Sequence, residues 1–147
     1  MIFDRTQDDV DYANTHLDDT DNLKGNYNVS DLNRVETKVR QLTDILTSYG
    51  YSVINITKTN WDTIENFTVE DAQRYLGNIQ RLINAYVITP STPTLPSDME
   101  ELTFQEANSI EKILYDIDLL IDNMEASFIY CGTFNSGESE GLIWYKT

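Results

Sequence analysis

The chain has 147 residues, of which 40% are hydrophobic and 11% aromatic, which is enough for one domain with a packed core. Its 25 acidic residues outnumber its 10 basic residues and give a net charge of -15. Because nucleic acids and anionic membranes attract basic surfaces, this balance argues against direct binding to either and favours proteins as partners. One Cys and one His provide neither a disulfide within the chain nor a four-ligand zinc site.

The first residues do not form the basic stretch and apolar run of a secretory signal peptide. No stretch approaches the roughly 18 consecutive apolar residues that indicate a membrane span. We therefore expect a protein that is made in a cytoplasm, or released from one by lysis.

The N-terminal region predicts one short helix. Thr6 is a possible N-cap residue, and Asp9 three positions later can complete a capping box. Val10 and Ala13 follow at helical spacing, so we expect a helix near residues 8–17. It is poor in large apolar side chains.

Residues 18–27 are polar and predict a loop, whose acidic side chains suggest a cation site at first sight. An EF-hand loop requires Gly at its sixth position and Glu at its twelfth. Counted from Asp19, these positions hold Lys24 and Ser30. We therefore interpret the segment as a solvated acidic loop.

Three longer helices are predicted by stronger capping boxes, in which an acid lies three positions after an N-cap residue. The pairs are Asn28 with Asp31, Thr68 with Asp71, and Thr103 with Glu106. Apolar residues then recur at helical spacing and predict helices near 29–49, 69–88 and 104–128.

Polar amides occupy equivalent places in the three helices. Asn33 and Asn108 lie five positions after their caps, and Gln73 takes that place in the third copy. Such an amide can fix register by hydrogen bonding across helices, or it can simply be exposed in the first turn. Both interpretations are open, and neither makes a binding site.

The connections between the long helices differ in kind. Gly50 is typical of a left-handed residue that ends a helix. Residues 52–57 alternate between polar and β-branched types, which predicts a short extended segment with Val53 and either Ile54 or Ile56 facing inward. All three prolines lie in 89–97, which predicts an extended connector.

The C-terminal residues 131–147 are predicted to be an extended arm, because a polar, Gly-rich stretch precedes an apolar tip. The tip is either a strand folded back on the chain's own bundle or an arm that docks on a neighbouring subunit. The candidate interface residues are Phe134, Leu142, Ile143, Trp144 and Tyr145. The predicted fold is thus all-α: a three- to four-helix bundle over 1–130, with short extended segments and the C-terminal arm.

No residue is a convincing catalytic or metal-binding candidate. His16 is predicted to be a surface histidine near a helix end, and Cys131 has no base nearby in sequence. The acids of the last helix are expected to lie mostly on its outer face; they are Glu111, Asp116, Asp118, Asp122 and Glu125. We therefore predict a protein without enzymatic activity, cofactor or metal.

Several dispersed blocks resemble small proteins encoded in the tail modules of phages and prophages of Gram-positive bacteria. The blocks are Asp4-Arg5-Thr6-Gln7, Asp9-Val10-Asp11, Leu32-Asn33-Arg34-Val35-Glu36, Trp61-Asp62, Tyr75-Leu76-Gly77-Asn78-Ile79, Glu106-Ala107-Asn108-Ser109-Ile110-Glu111-Lys112-Ile113-Leu114, Tyr130-Cys131-Gly132-Thr133-Phe134 and Ser136-Gly137-Glu138. They follow the same order over nearly the whole chain.

The resemblance implies a non-enzymatic subunit of a phage tail, baseplate or fibre region, assembled in a bacterial cytoplasm into a virion or a tail-like bacteriocin particle. Its partners would be copies of itself and other tail proteins. Two alternatives stay open: a module that recognises a host cell-surface glycan, and a capsid accessory or decoration protein.

Overall fold

The computed structural model describes residues 1–17 and 23–138, with side chains up to residue 129. Within this part the chain forms four α-helices: α1 (Gln7–Thr15), α2 (Val29–Ser48), α3 (Val69–Ala85) and α4 (Phe104–Glu138). The described residues include no β-strand. The prediction of an all-α helical bundle is confirmed.

Each helix begins at the predicted capping box. At α1 the hydroxyl of Thr6 accepts from the amide of Asp9, and the Asp9 carboxylate accepts from the amide of Thr6 at 2.8 Å. The boxes at Asn28 and Thr68 close in the same reciprocal way. At α4 the Glu106 carboxylate accepts from the amide of Thr103 at 2.9 Å. The caps therefore fix where every helix starts.

The last helix is longer than predicted. α4 continues to Glu138, so residues 131–138, which we expected in an extended arm, are helical. The prediction gave Gly132 and Gly137 too much weight as helix breakers, since one Gly inside a helix costs only about 1 kcal/mol relative to Ala. Residues 139–147 lie outside the described part of the chain.

The chain divides into two compact units, residues 1–117 and residues 118–147. In the first unit, the predicted apolar stripes of the three long helices form the core. Its fully buried members include Val35, Leu42 and Leu46 of α2, Tyr75, Ile79 and Leu82 of α3, and Ile110, Ile113, Leu114 and Ile117 of α4. In the second unit, Ile121 is buried, whereas Leu119 and Ile129 are exposed.

The segment after α2 is only partly as predicted. Gly50 has a positive φ of 92°, as expected of a residue that ends a helix in the left-handed region. Val53 is buried, but Ile54 and Ile56 are 81% and 73% exposed, so the expectation that one of them faces inward is wrong. Alternation places both isoleucines on the same side of the segment, opposite Val53.

The loop before α2 packs closely on α1. A Cβ atom at Gly25 would lie 2.1 Å from the carbonyl oxygen of Asp9, so only glycine fits there. Among the described residues, no helix has the length and apolar character needed to cross a membrane.

Candidate functional site: buried carboxylate clusters

The residues weighed as catalytic candidates do not assemble into a site in the described structure. His16 lies on the surface, where its ring stacks on Tyr12 at a centroid distance of 3.9 Å and its Nδ1 lies 2.8 Å from the Tyr12 carbonyl oxygen. The side chain of Cys131 is outside the described part, as are the acids of the loop at 18–22. His16 is therefore a surface histidine, as predicted.

The side chains of the predicted interface residues lie outside the described part of the structure. Phe134 lies within α4, but its side chain is not among those described. Leu142, Ile143, Trp144 and Tyr145 lie beyond the described residues. Their role as interface residues remains a prediction.

The most concentrated chemistry of the described chain is a buried group that we call the Glu111 cluster: Arg5, Asp31, Arg34 and Glu111. Arg5 is 4% exposed and Glu111 is 0% exposed. One Nη of Arg5 donates to Asp31 and to Glu111, each at 2.9 Å. Arg34 donates to the same two carboxylates. Two positive and two negative charges thus join the N-terminal segment, α2 and α4.

The surroundings hold Glu111 and Arg34 in their charged forms. Burial alone would raise the pKa of Glu111, but hydrogen bonds from Arg34, the backbone of Ile2 and Arg5 outweigh it and lower that pKa. Burial works against the charge of Arg34 as well, yet its bonds to Glu111 and Asp31 leave its pKa raised. Mutual hydrogen bonding decides both shifts.

Two tyrosines lie against this cluster. The hydroxyls of Tyr27 and Tyr75 share a hydrogen bond, and Arg5 lies 5.4 Å from the centroid of the Tyr27 ring. Burial is the main cause that raises the pKa of both phenols well above 10. Both phenols are therefore neutral at neutral pH.

A second group, the Glu36 cluster, consists of Glu36, Arg74 and Trp61. Glu36 is 1% exposed. It accepts from Arg74 of α3, from the indole Nε1 of Trp61 at 2.7 Å, and from the backbone amide of Lys58 at 3.1 Å. The hydrogen bond to Glu36 is the main cause that raises the pKa of Arg74. The cluster joins α2 and α3 to the segment between them.

Three asparagines hold non-helical backbone against the helices. Asn33 accepts from the amide of Trp61 at 2.7 Å and donates to its carbonyl at 3.0 Å. Asn108 makes the same pair with Arg5, at 3.0 and 2.9 Å. Asn78 makes it with Ile56, at 3.4 and 2.7 Å. Asn33 and Asn108 therefore do form hydrogen bonds, but with non-helical backbone rather than across helices as one interpretation held, and the third such residue is Asn78 rather than Gln73.

α2 and α4 use one shared arrangement. Each carries, after its N-cap, an acid at the third position, Asn at the fifth and Glu at the eighth. Glu111 accepts from the amide of Ile2 at 2.7 Å, three residues before Arg5, just as Glu36 accepts from the amide three residues before Trp61. Both helices thus hold a four-residue backbone segment that runs antiparallel to the helix. This repeated spacing was the sequence signal that would have revealed the clusters.

The expected outer position of the α4 acids is wrong for two of them. Glu111 and Asp116 are buried, and Asp116 pairs with Lys112 and accepts from the hydroxyl of Thr92 at 2.8 Å. Asp122 is exposed, as expected. Apolar periodicity locates the core, but it does not show that an acid beside the stripe has a buried basic partner.

The charged groups of the two clusters bind one another and nearby backbone. Every carboxylate oxygen of Asp31, Glu36 and Glu111 accepts at least one hydrogen bond from a protein donor. Each cluster is also neutral overall, so it offers a ligand no unpaired charge. In the described part of the chain, no three His, Cys, Asp or Glu side chains come together as a metal site.

We compared the chain with models of protein families, with curated proteins and with solved structures. None of the three comparisons found a match.

Proposed function

We propose that this protein is a non-enzymatic structural subunit of a phage tail or of a phage-tail-like particle, located at the baseplate or where a fibre attaches. The observation that carries the proposal is the series of ordered sequence blocks that resemble tail-module proteins. Many of those blocks coincide with the residues that build the clusters, among them Arg5, Arg34 and Glu36. The quoted similarity thus lies largely in residues that hold the helices together.

The architecture of the first unit supports a structural role. Its buried charged side chains join non-helical segments to α2, α3 and α4. Each helix also begins with a closed capping box. A body held at so many fixed points presents constant surfaces to its neighbours, which is what repeated assembly requires. The net charge of -15 keeps free copies apart until they meet a complementary surface.

The direct test is to locate the chain in a particle. Particles are purified from bacteria that have been induced to produce them. The subunit is quantified by mass spectrometry, and its position is determined by imaging with a specific antibody. We expect a fixed copy number per particle and labelling at one end of the tail. Absence from purified particles would contradict the proposal, and labelling of the capsid would favour the decoration-protein alternative.

The C-terminal interface is tested by removing residues 139–147, which leaves α4 complete. If Leu142–Tyr145 dock on a neighbour, the shortened chain is folded but missing from particles. A full-length Glu140→Gln variant, which changes the same segment without removing an apolar side chain, is the control. Full occupancy by the shortened chain would refute the docking arm while leaving the tail assignment intact.

A further inference from the structure

Basic side chains gather around one segment of this acidic chain. Four of the ten Lys and Arg residues contact residues 55–61 or belong to them: Arg40, Lys58, Arg74 and Arg81. Lys58 is paired with Glu65, and Arg74 is paired with Glu36. Arg40 and Arg81 differ from these two, because neither forms an ion pair within the described part of the chain.

The two arginines instead bind neutral oxygens. Arg40 donates to the hydroxyl of Thr59 at 3.4 Å, and Arg81 donates to the amide oxygens of Asn55 and Asn78 at 3.3 and 2.8 Å. Both arginines are exposed. Two uncompensated positive charges therefore lie near the two ends of residues 55–59, in a chain whose net charge is strongly negative.

The backbone between these arginines forms hydrogen bonds with the protein along one edge, while the N–H groups of its other edge have no acceptor among the described residues. Asn78 binds both the N–H and the C=O of Ile56, which requires that these two groups point to the same side, as they do in extended chain. The backbone groups of Asn55 and Thr57 then point the opposite way. Neither of these two amides donates a hydrogen bond to any described residue. The C=O of Val53, which points the same way, accepts from the hydroxyl of Thr47 at 3.4 Å, so the open edge begins at Asn55. An open edge of extended backbone is a template for another strand.

The outer face of the segment is apolar. Ile54 and Ile56 project side by side and are among the most exposed large apolar residues of the first unit. Beside them is a surface depression lined by Ser52, Val53, Ile54, Arg81, Asn84 and Ala85. Two adjacent β-branched side chains left in water favour an added strand that covers them.

We propose that residues 52–59, flanked by Arg40 and Arg81 and here called the 52–59 strip, dock an extended, acidic segment of a partner protein as an added β-strand. Asn55 and Thr59, the residues bound by Arg81 and Arg40, are four positions apart, which corresponds to about 13 Å in a strand. A partner strand with carboxylates four residues apart matches this spacing, and its alternate apolar side chains would cover Ile54 and Ile56. The proposal is independent of the particle role.

Charge decides between this partner and a second copy of the same strip. Two strips facing each other would bring their unpaired arginines together, on two bodies that each carry -15. An acidic strand would instead be attracted, because its carboxylates can form ion pairs with Arg40 and Arg81. We therefore assign the strip to an acidic strand from another protein.

The test uses a synthetic peptide, acetyl-Glu-Val-Glu-Val-Glu-Val-Glu-amide, and the full chain labelled with nitrogen-15. We expect amide shifts to change at residues 53–59, with the largest downfield change at Asn55 and Thr57 as their N–H groups gain acceptors. The same peptide with Lys in place of Glu should leave these residues unchanged at 0.15 M salt. No shift with either peptide at millimolar concentration would overturn the proposal.

Three variants separate the backbone, charge and apolar contributions. Thr57→Pro removes the open N–H without removing any bond of the free chain, and we expect it to abolish peptide binding, whereas Thr57→Val keeps it. Charge reversal in the double variant Arg40→Glu with Arg81→Glu should weaken binding by about tenfold or more. Ile54→Glu should weaken it too, while Ile64→Glu, which changes an equally exposed isoleucine outside the strip, should not.

Circular dichroism and a thermal melt establish that each variant is folded before binding is scored. Equal peptide binding by Thr57→Pro and Thr57→Val would show that no strand is added. Shift changes at 53–59 that depend on protein concentration without peptide would show that a second copy occupies the strip. Either result overturns the assignment to an acidic strand.

Discussion

α2 and α4 hold their backbone segments with the same residue types, yet the two sites differ in what they join. Asn33 and Glu36 of α2 hold Lys58 to Trp61, a segment that follows the same helix. Asn108 and Glu111 of α4 hold Ile2 to Arg5, more than a hundred residues away in sequence. The first site organises a local connection, whereas the second attaches the N-terminal segment to α4.

The two sites also differ in how far their charges are from water. Arg5 and Glu111 are almost completely buried, and two carboxylates share two arginines. In the Glu36 cluster, the side chain of Arg74 retains about a quarter of its exposure. Removing one partner should therefore cost more in the Glu111 cluster, because Arg5 cannot turn to solvent, although Arg34 is about as exposed as Arg74.

The largest expected effect is that of Glu111→Gln. The substitution keeps the volume of the side chain but leaves Arg5 and Arg34 with a single carboxylate, Asp31. We expect the free energy of unfolding to fall by about 3–5 kcal/mol, as for a broken buried ion pair. Urea unfolding monitored by circular dichroism measures it. A loss below 1 kcal/mol would show that the cluster adds little to stability.

The matched change Glu36→Gln should have a smaller effect. Arg74 can then reach water, and Trp61 keeps an acceptor in the new amide oxygen. We expect a loss of about 2 kcal/mol, in the range of a hydrogen bond to a charged group. The same urea experiment measures it, and an equal or greater loss than for Glu111→Gln would reverse the ranking of the two clusters.

Acid should destabilise the fold through carboxylates whose pKa is lowered in the folded state. Hydrogen bonds lower the pKa of Asp9, Asp71 and Glu106 at the caps, and ion pairing lowers that of Glu111. Their contribution is complete above the unfolded values near 4 and is lost as the pH falls below them. Melting temperatures from pH 7 to pH 3 should therefore drop below about pH 4.5, and less steeply in Glu111→Gln. Equal slopes would contradict the assignment to Glu111.

The smallest effect is expected at a single cap. Thr103→Ala removes the hydroxyl that accepts from the amide of Glu106 and should cost about 1 kcal/mol. Thr103→Ser keeps that hydroxyl and serves as the control. If both variants melt at the same lowered temperature, the loss comes from the missing methyl group rather than from the cap.

The sequence was sufficient for the parts of the fold that depend on local signals. The capping boxes and apolar stripes predicted four helices, and the capping-box starts are where α1 to α4 begin. The end of α4 was missed because helix length is decided by neighbours as well as by glycine content. The segment at 52–57 was placed correctly, but the exposed side of its alternation could not be assigned without knowing where α2 and α3 pack.

The candidate site was harder to predict, for a physical reason. A buried carboxylate is stable only beside partners that come from distant parts of the chain, such as Arg5 for Glu111. Periodicity carries no information on such pairs. The spacing shared by Asn28–Glu36 and Thr103–Glu111 does carry such information, because the same polar residues at the same positions of two helices bind backbone in the same way.

The central claim is that each asparagine holds one specific backbone segment, and hydrogen exchange in two crossed variants tests it most directly. Asn108→Ala should accelerate exchange of the Arg5 amide and leave that of Trp61 protected, whereas Asn33→Ala should do the reverse. Each is compared with Gln105→Ala, an exposed change in α4. Equal acceleration of both amides in both variants would show that the segments open only with the whole fold, and would contradict the claim.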